Sequence, residues 1–428
     1  MSTTLTRGPV RTSERSPAPD LARGFMLLLI AVANTPFYLL GRERARGNVH
    51  PVDGSPLDRA VDLLVITGVD QRVYPMFAFL FGYGMVQLYS RQIASGTTEK
   101  RALRLLQVRH LWLLVLGFLH AALLWQGDVL GAYGLAGLLL VGVFLRRTER
   151  AQLMSVSVLL GLLLAFTAYV VVDSSLTPLS SAEAARAAEG ALLDEPAIAL
   201  TSYVESIPVR LGEWATLTIA QATFGLVIPM MILLGIAAGR RRVLENPGDH
   251  LPLLRRVAAV GIPVGLIGGL PSALDHTGVL RVPAHDEFFL LVPLLTGFFG
   301  GLGYVALWGV VGDAVARRRS SADRIPSAGA PDVRAGGVLA LDGPVAGALQ
   351  AVGKRSLTCY LLQSVLCAPV LAAWGLGLGW HLSSFTVFLY AIGVWGLTVV
   401  FAVWQESRGA RGPAETLLRG LTYRRAVA

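Results

Sequence analysis

LRLLQVRHLWLLVLGFLHAALLWQGDVLGAYGLAGLLLVGVFLRRTER, residues 103–150, decides the fold. Two apolar runs, 103–125 and 128–145, are parted by a two-residue hinge and closed by Arg146, Arg147 and Arg150. A helix needs roughly 20 apolar residues to cross a bilayer. The stretch therefore reads as a membrane hairpin with its basic end in the cytoplasm. Further apolar runs lie at 21–40, 61–89, 152–172, 214–238, 252–272, 287–311, 352–373 and 384–404. The expectation is an all-α polytopic transmembrane bundle of about ten spans.

Composition agrees. Of 428 residues, 54% are hydrophobic and 15% charged, against about 25% charged in a soluble domain. A net charge of +9 would suggest nucleic acid in a soluble chain. Here the arginines sit in short loops and set topology, so lipids are the expected partner and nucleic acid is not. With the N-terminus inside, most Lys and Arg fall in segments 1–20, 90–109, 146–150, 239–256, 312–342 and the C-terminal tail. The outer segments 41–60, 126–127, 173–213, 273–286 and 374–383 hold few, and 173–213 is acidic. Both termini are expected to be cytoplasmic, in a bacterial plasma membrane.

Residues 1–20 read as a disordered tail, 181–193 as an exposed helix and 317–342 as a flexible cytoplasmic linker. Ala31-Val32-Ala33 resembles a signal-peptide cleavage site, but the apolar run continues past it. Cys359 and Cys367 are eight apart, about 12 Å of helical rise, too far for a disulfide.

Ionisable groups inside the apolar runs are the functional candidates. Asp70, Gln71 and Arg72 interrupt the second span, either as a self-satisfied plug or as part of a hydrated cavity where Arg72 holds an anion. The third span carries His120, followed by Trp125 and Asp128. A carboxylate beside an imidazole orients it as a general base, which makes His120 and Asp128 the candidate catalytic pair. Asn34, Asp70, Arg72, His120 and Asp128 all fall in the outer half and are expected to line one outward pocket. Tyr360 and Gln363 share a helix face, with interhelical bonding the plainest role. Asn34, Asp70, Arg72, Trp125, Tyr360 and Gln363 form the candidate substrate-binding set. Lys354 and Arg355 read as snorkelling anchors, Gly82 and Gly84 as close-packing residues. His50, His110, His250, His276, His285 and His381 are given no special role. No zinc spacing and no P-loop occurs, so no metal and no bound cofactor is expected.

LARGFMLLLIAVAN at 21–34, FAFLFGYG at 77–84, PMMILLGIAAGR at 229–240, GKRSLTCYLLQS at 353–364 and GPAETLLRGLTY at 412–423, with the 119–130 stretch, resemble the YeiB family. These are bacterial multi-pass proteins with a C-terminal domain of unknown function, which the resemblance puts at about 225–425, after an N-terminal membrane region at 21–224. Cys359 stands where the family has asparagine, Lys354 where it has arginine, and Pro413-Ala414-Glu415-Thr416 departs from its final motif. The chain is also distantly similar to the transmembrane acyltransferases, which move acyl groups from acyl-CoA onto extracytoplasmic sugars. Their first-span histidine corresponds to Asn34, which cannot act as a base, so that role is either absent here or taken by another residue, His120 first among them. The resemblance implies acyl-CoA as co-substrate, its phosphates drawn by Arg101, Arg104 and Arg109. The alternative is a permease for a small anionic solute held by Arg72.

Overall fold

A computed structural model of the chain describes residues 16–44, 46–188, 191–192, 196–322 and 343–426. The first half contains α1 (Pro17–Asn34), α2 (Pro56–Gly68), α3 (Val73–Ala94), α4 (Glu99–Leu123), α5 (Val129–Phe144), α6 (Glu149–Leu176) and α7 (Ser181–Ala188). The second contains α8 (Pro196–Ala199), α9 (Tyr203–Ile219), α10 (Val227–Arg240), α11 (Leu251–His276), α12 (Asp286–Ala322), α13 (Pro344–Lys354), α14 (Ser356–Leu371), α15 (Ser384–Ser407) and α16 (Pro413–Ala426). A two-residue antiparallel ladder pairs β1 (Glu43–Arg44) with β2 (Ala191–Leu192).

Every apolar run read from the sequence becomes a helix or a broken helix. Seven helical stretches are long and apolar enough to cross a membrane, and α9 with α10 makes an eighth, bent by 54°. The helices α5 and α14 are apolar but only 16 residues long. On α6, Met154, Val158, Phe166 and Tyr169 are exposed, an apolar surface that only lipid covers well. This is a multi-pass membrane protein.

The connecting segments sort into two groups, one at each end of the bundle. At one end Arg146 pairs with Glu99, Arg241 with Glu149, and Gln92 bonds Tyr423. There Ser16 also donates to the Leu244 carbonyl. At the other end Leu40 N donates to Gly379 O, Ala373 N to Ile198 O and Leu179 N to Pro283 O. These are the same two sets of loops that charge alternation assigns to opposite faces, and they are called inner and outer below.

Several details differ from the sequence reading. The N-terminal tail ends before Pro17, because Pro17 and Pro19 start α1 and Asp20 is already buried; residues 1–15 lie outside the described ones. The outer helix stops at Ala188, and residues 191–192 pair with β1 instead. Of the 317–342 linker, α12 continues through Ala322, and 323–342 lie outside the described residues.

The second span is not one helix. It breaks between Gly68 and Val73, where Gln71 adopts φ 62°. Arg72 accounts for the break. The residue is 1% exposed, and its guanidinium donates to the carbonyls of Ile66, Asp70 and Gly265, so the cation closes the negative C-terminal end of α2 and ties it to α11. Gly269 and Gly300 leave the room: a Cβ on either would meet the Arg72 side chain.

Glycine also sets the α3–α10 distance. A Cβ on Gly82 would lie 2.2 Å from Ile232 O, and one on Gly235 would lie 2.1 Å from Phe79 O. Gly84 does not share this task; its nearest neighbour is the Arg23 guanidinium, 3.4 Å away. Gly82→Leu is expected to destabilise the bundle by about 1–3 kcal/mol, read as a lower melting temperature in nanodiscs, while Gly84→Ala changes it far less.

Candidate functional site

Two cavities enter the bundle from opposite ends. The outer one, about 230 Å³, lies between the end of α1, the α2–α3 break and residues 47–49, with Asn34, Asp70 and Arg72 on its wall. The inner one, about 690 Å³, is bounded by α1, α3, α4, α5 and α13–α16. Both are lined by Phe77 and Tyr133, whose ring centroids are 4.5 Å apart. Tyr133 is fixed by donating its hydroxyl to Tyr74 O at 2.8 Å. An aromatic partition thus separates the two spaces.

The inner cavity is cationic. Arg23, Arg91, Arg109, Arg355, Arg411 and Arg419 line it with Lys354, against Glu406 and Glu415. Lys354 and Arg355 are not snorkelling anchors. Both bind Glu406, at 2.6 and 2.7 Å, and so clamp the α13–α14 junction to the end of α15. Glu415 accepts from the backbone N–H groups of Leu357 and Thr358 at the start of α14, where a carboxylate suits the helix dipole. That ties the closing α16 to α14. Among the described residues Arg109 has no carboxylate within ion-pair distance, which leaves its charge available to a ligand. Arg101 and Arg104 are exposed and off the cavity wall. The deeper wall, including Met26, Leu80, Phe81 and Leu113, is apolar.

His120 and Asp128 line neither cavity but lie between them. His120 Nδ1 is 2.8 Å from Asp128 Oδ1, with both side chains 1% exposed or less. Asp128 is also the N-cap of α5: its Oδ2 accepts from Gly131 N at 2.7 Å and from Trp214 Nε1 at 3.3 Å. Gly117 makes room for that carboxylate. Of the residues that follow, Val129 lines the outer cavity and Leu130 the inner one. Tyr360 lines the inner cavity, accepts from Val129 N, and packs its ring 5.4 Å from the His120 ring. His120 Nε2 is buried and has no hydrogen-bond partner among the described residues.

The expected single outward pocket is therefore divided. Asn34, Asp70 and Arg72 share the outer cavity, while His120 and Asp128 stand one aromatic ring from the inner one. Trp125 lines neither; it is buried against Phe37 and Tyr38. Gln363 donates to Leu27 O at 3.0 Å, an interhelical bond. Cys359, the departure from the family pattern, is buried with Sγ 4.0 Å from Thr398 O and faces α15.

Sequence reading passed over a second histidine centre. His50 Nδ1 is 2.9 Å from Asp62 Oδ1, its Nε2 is 2.9 Å from Asp70 Oδ2, and His276 Nε2 is 3.3 Å from Asp62 Oδ2. Burial pushes the His50 imidazole down, but the Asp70 and Asp62 carboxylates outweigh it and raise it to about 9. Among the described residues no group of three or more His, Cys, Asp or Glu is arranged to hold a metal ion.

Residues 340–425, which run from the end of the linker through α16, match the family described as Protein of unknown function (DUF418). The chain is 28% identical over 356 residues to the uncharacterized protein YeiB of Escherichia coli K12, covering 82% of this chain and 81% of that protein. It is 26% identical over 437 residues to the uncharacterized protein YxaH of Bacillus subtilis 168, covering 97% and 96%. An uncharacterized 39.9 kDa protein of Bacillus acidopullulyticus is 32% identical over 141 residues, 33% of this chain and 37% of that one. No solved structure matches.

Proposed function

We propose that this chain, a protein of the YeiB family, is an acyltransferase-like enzyme that carries an acyl group from acyl-CoA to a hydroxyl acceptor on the opposite face of the membrane. The observation that carries the reading is a pair of opposed cavities meeting at Phe77 and Tyr133, beside a buried His–Asp pair with one imidazole nitrogen unused. By the positive-inside rule the basic end faces the cytoplasm of the plasma membrane. CoA phosphates suit the arginine-lined inner cavity, and its apolar depth suits an acyl chain.

In this reading His120 Nε2 takes the acceptor hydroxyl's proton while Asp128 holds the tautomer and stabilises the imidazolium. The hydroxyl oxygen attacks the thioester carbonyl, the carbon–sulfur bond breaks, and the CoA thiolate takes the proton from His120. Tyr360 swings aside to open the path, since its ring stands between His120 and the inner cavity.

The test is release of CoA thiol by protein in nanodiscs supplied with acyl-CoA and hydroxyl acceptors. Turnover supports the reading; folded protein that never releases thiol with any acceptor overturns it. Arg109→Ala is expected to raise the KM for acyl-CoA about 10-fold with little change in kcat, since one charge-assisted contact is lost. An unchanged KM would remove Arg109 from the donor site.

The aromatic partition between opposed cavities also supports a second reading, a permease for a small anionic solute. It predicts solute flux that needs no acyl-CoA. Arg72 serves it poorly as the binding charge, because both terminal guanidinium nitrogens are committed to carbonyls.

A further inference from the structure

Beyond the His120 pair, four titratable side chains form a continuous chain at the outer end: Asp70, His50, Asp62 and His276. They come from four places, the α2–α3 break, the 46–55 loop, α2 and the end of α11. Other charges nearby are engaged: Arg46 with Asp275 and the carbonyls of Val282 and Ala284, and Arg44 with the carbonyls of Phe37, Leu39 and Val49.

Both ring nitrogens of His50 face carboxylate oxygens. A neutral imidazole has one N–H and one acceptor lone pair, so it satisfies only one ionised carboxylate. Two need the imidazolium, and the chain therefore holds an extra proton. Asp70 is where it meets the outer cavity; its Oδ1 has no partner among the described residues.

We propose that Asp70 is the acceptor-binding carboxylate of the outer cavity and that His50 is its positioning residue. Protonated His50 holds Asp70 through Oδ2 and aims it, so that Oδ1 accepts a hydrogen bond from the hydroxyl of a small polyol-like acceptor. Asp62 and His276 fix His50 from behind. This deepens the acyl-transfer reading by naming the acceptor contact, yet its test does not depend on turnover.

Histidine-labelled protein in nanodiscs is titrated by NMR, with His50→Gln identifying the signal. Glycerol is the probe, small enough for a cavity of about 230 Å³. The His50 signal is expected to stay protonated well past neutral pH and to titrate near 9. Asp70→Asn, which keeps the shape of the side chain, is expected to lower that midpoint by about one unit or more, the usual effect of losing an adjacent opposite charge. Glycerol is expected to move the wild-type His50 signal and not that of Asp70→Asn. The raised value also fixes the sign of the linkage: the pair's contribution to stability is complete below the unfolded histidine's pKa of about 6.5 and is lost as pH rises through the folded one. A His50 midpoint in the ordinary range, one indifferent to Asp70→Asn, or a glycerol response that survives Asp70→Asn overturns the proposal. If those results hold while no thiol release is found, the acyl-transfer reading fails and the polyol site stands.

Discussion

On the acyl-transfer reading, His120→Ala is expected to lower transfer by about 10²–10⁴-fold, the usual contribution of a general base, and also to lower the melting temperature, because the buried Asp128 Oδ1 loses its partner. Among the described residues the side chain bonds Asp128 Oδ1, and Asp128 Oδ2 keeps its bonds to Gly131 N and Trp214 Nε1 without it, so the cap of α5 survives. Asp128 separates chemistry from structure in a complementary way. Asp128→Ala removes the cap of α5 and costs about 1 kcal/mol on that account alone. Asp128→Asn retains a capping oxygen, since asparagine caps as well as aspartate, but removes the charge that stabilises the imidazolium. The Asn variant is thus expected to fold normally and to turn over slowly. Full activity in His120→Ala would end the assignment.

Arg72→Ala should fail differently, by losing the fold. Three carbonyls from α2, the break and α11 take hydrogen bonds from one buried guanidinium. Gly265 lies inside α11 and keeps its helical bond, but the Ile66 and Asp70 carbonyls at the end of α2 lose a partner, and a buried carbonyl left unsatisfied costs about 1–3 kcal/mol. The sum is about 2 kcal/mol or more, enough to shift a cooperative melt by several degrees. Arg72→Lys is expected to recover only part of this, because a lysine lacks the planar fork that spans α2 and α11. Size-exclusion profiles and melts in nanodiscs check both variants. A stable, monodisperse Arg72→Ala that has lost only solute binding would instead favour the permease reading.

The bundle was legible in the sequence because hydropathy and arginine placement are local quantities. The run 152–172 announces the lipid-facing α6 without knowledge of any neighbour, and the basic loops sort themselves by alternation. The α2–α3 break was half legible. Asp70-Gln71-Arg72 marks the spot, but only the approach of Gly265, Gly269 and Gly300 explains why an arginine belongs there. The His120–Asp128 contact spans eight residues across one turn, so spacing pointed to it. His50 and Asp62 are almost as near in sequence, yet His50 sits in a polar loop that hides its burial, and its partner's neighbour His276 comes from 214 residues further on. The inner cavity was the least legible. Arg23, Arg91, Arg109 and Arg419 belong to α1, α3, α4 and α16, and each alone reads as a topology signal. Lys354 and Arg355 looked like anchors because Glu406, their partner, lies about 50 residues on.

The central claim is that the arginine-lined cavity holds an acyl-CoA, and calorimetric titration of the wild-type protein in nanodiscs with CoA, acetyl-CoA and longer acyl-CoAs tests it most directly. Saturable binding that weakens as salt screens the phosphate contacts is the predicted result. Folded, monodisperse protein that takes up none of these ligands would contradict it.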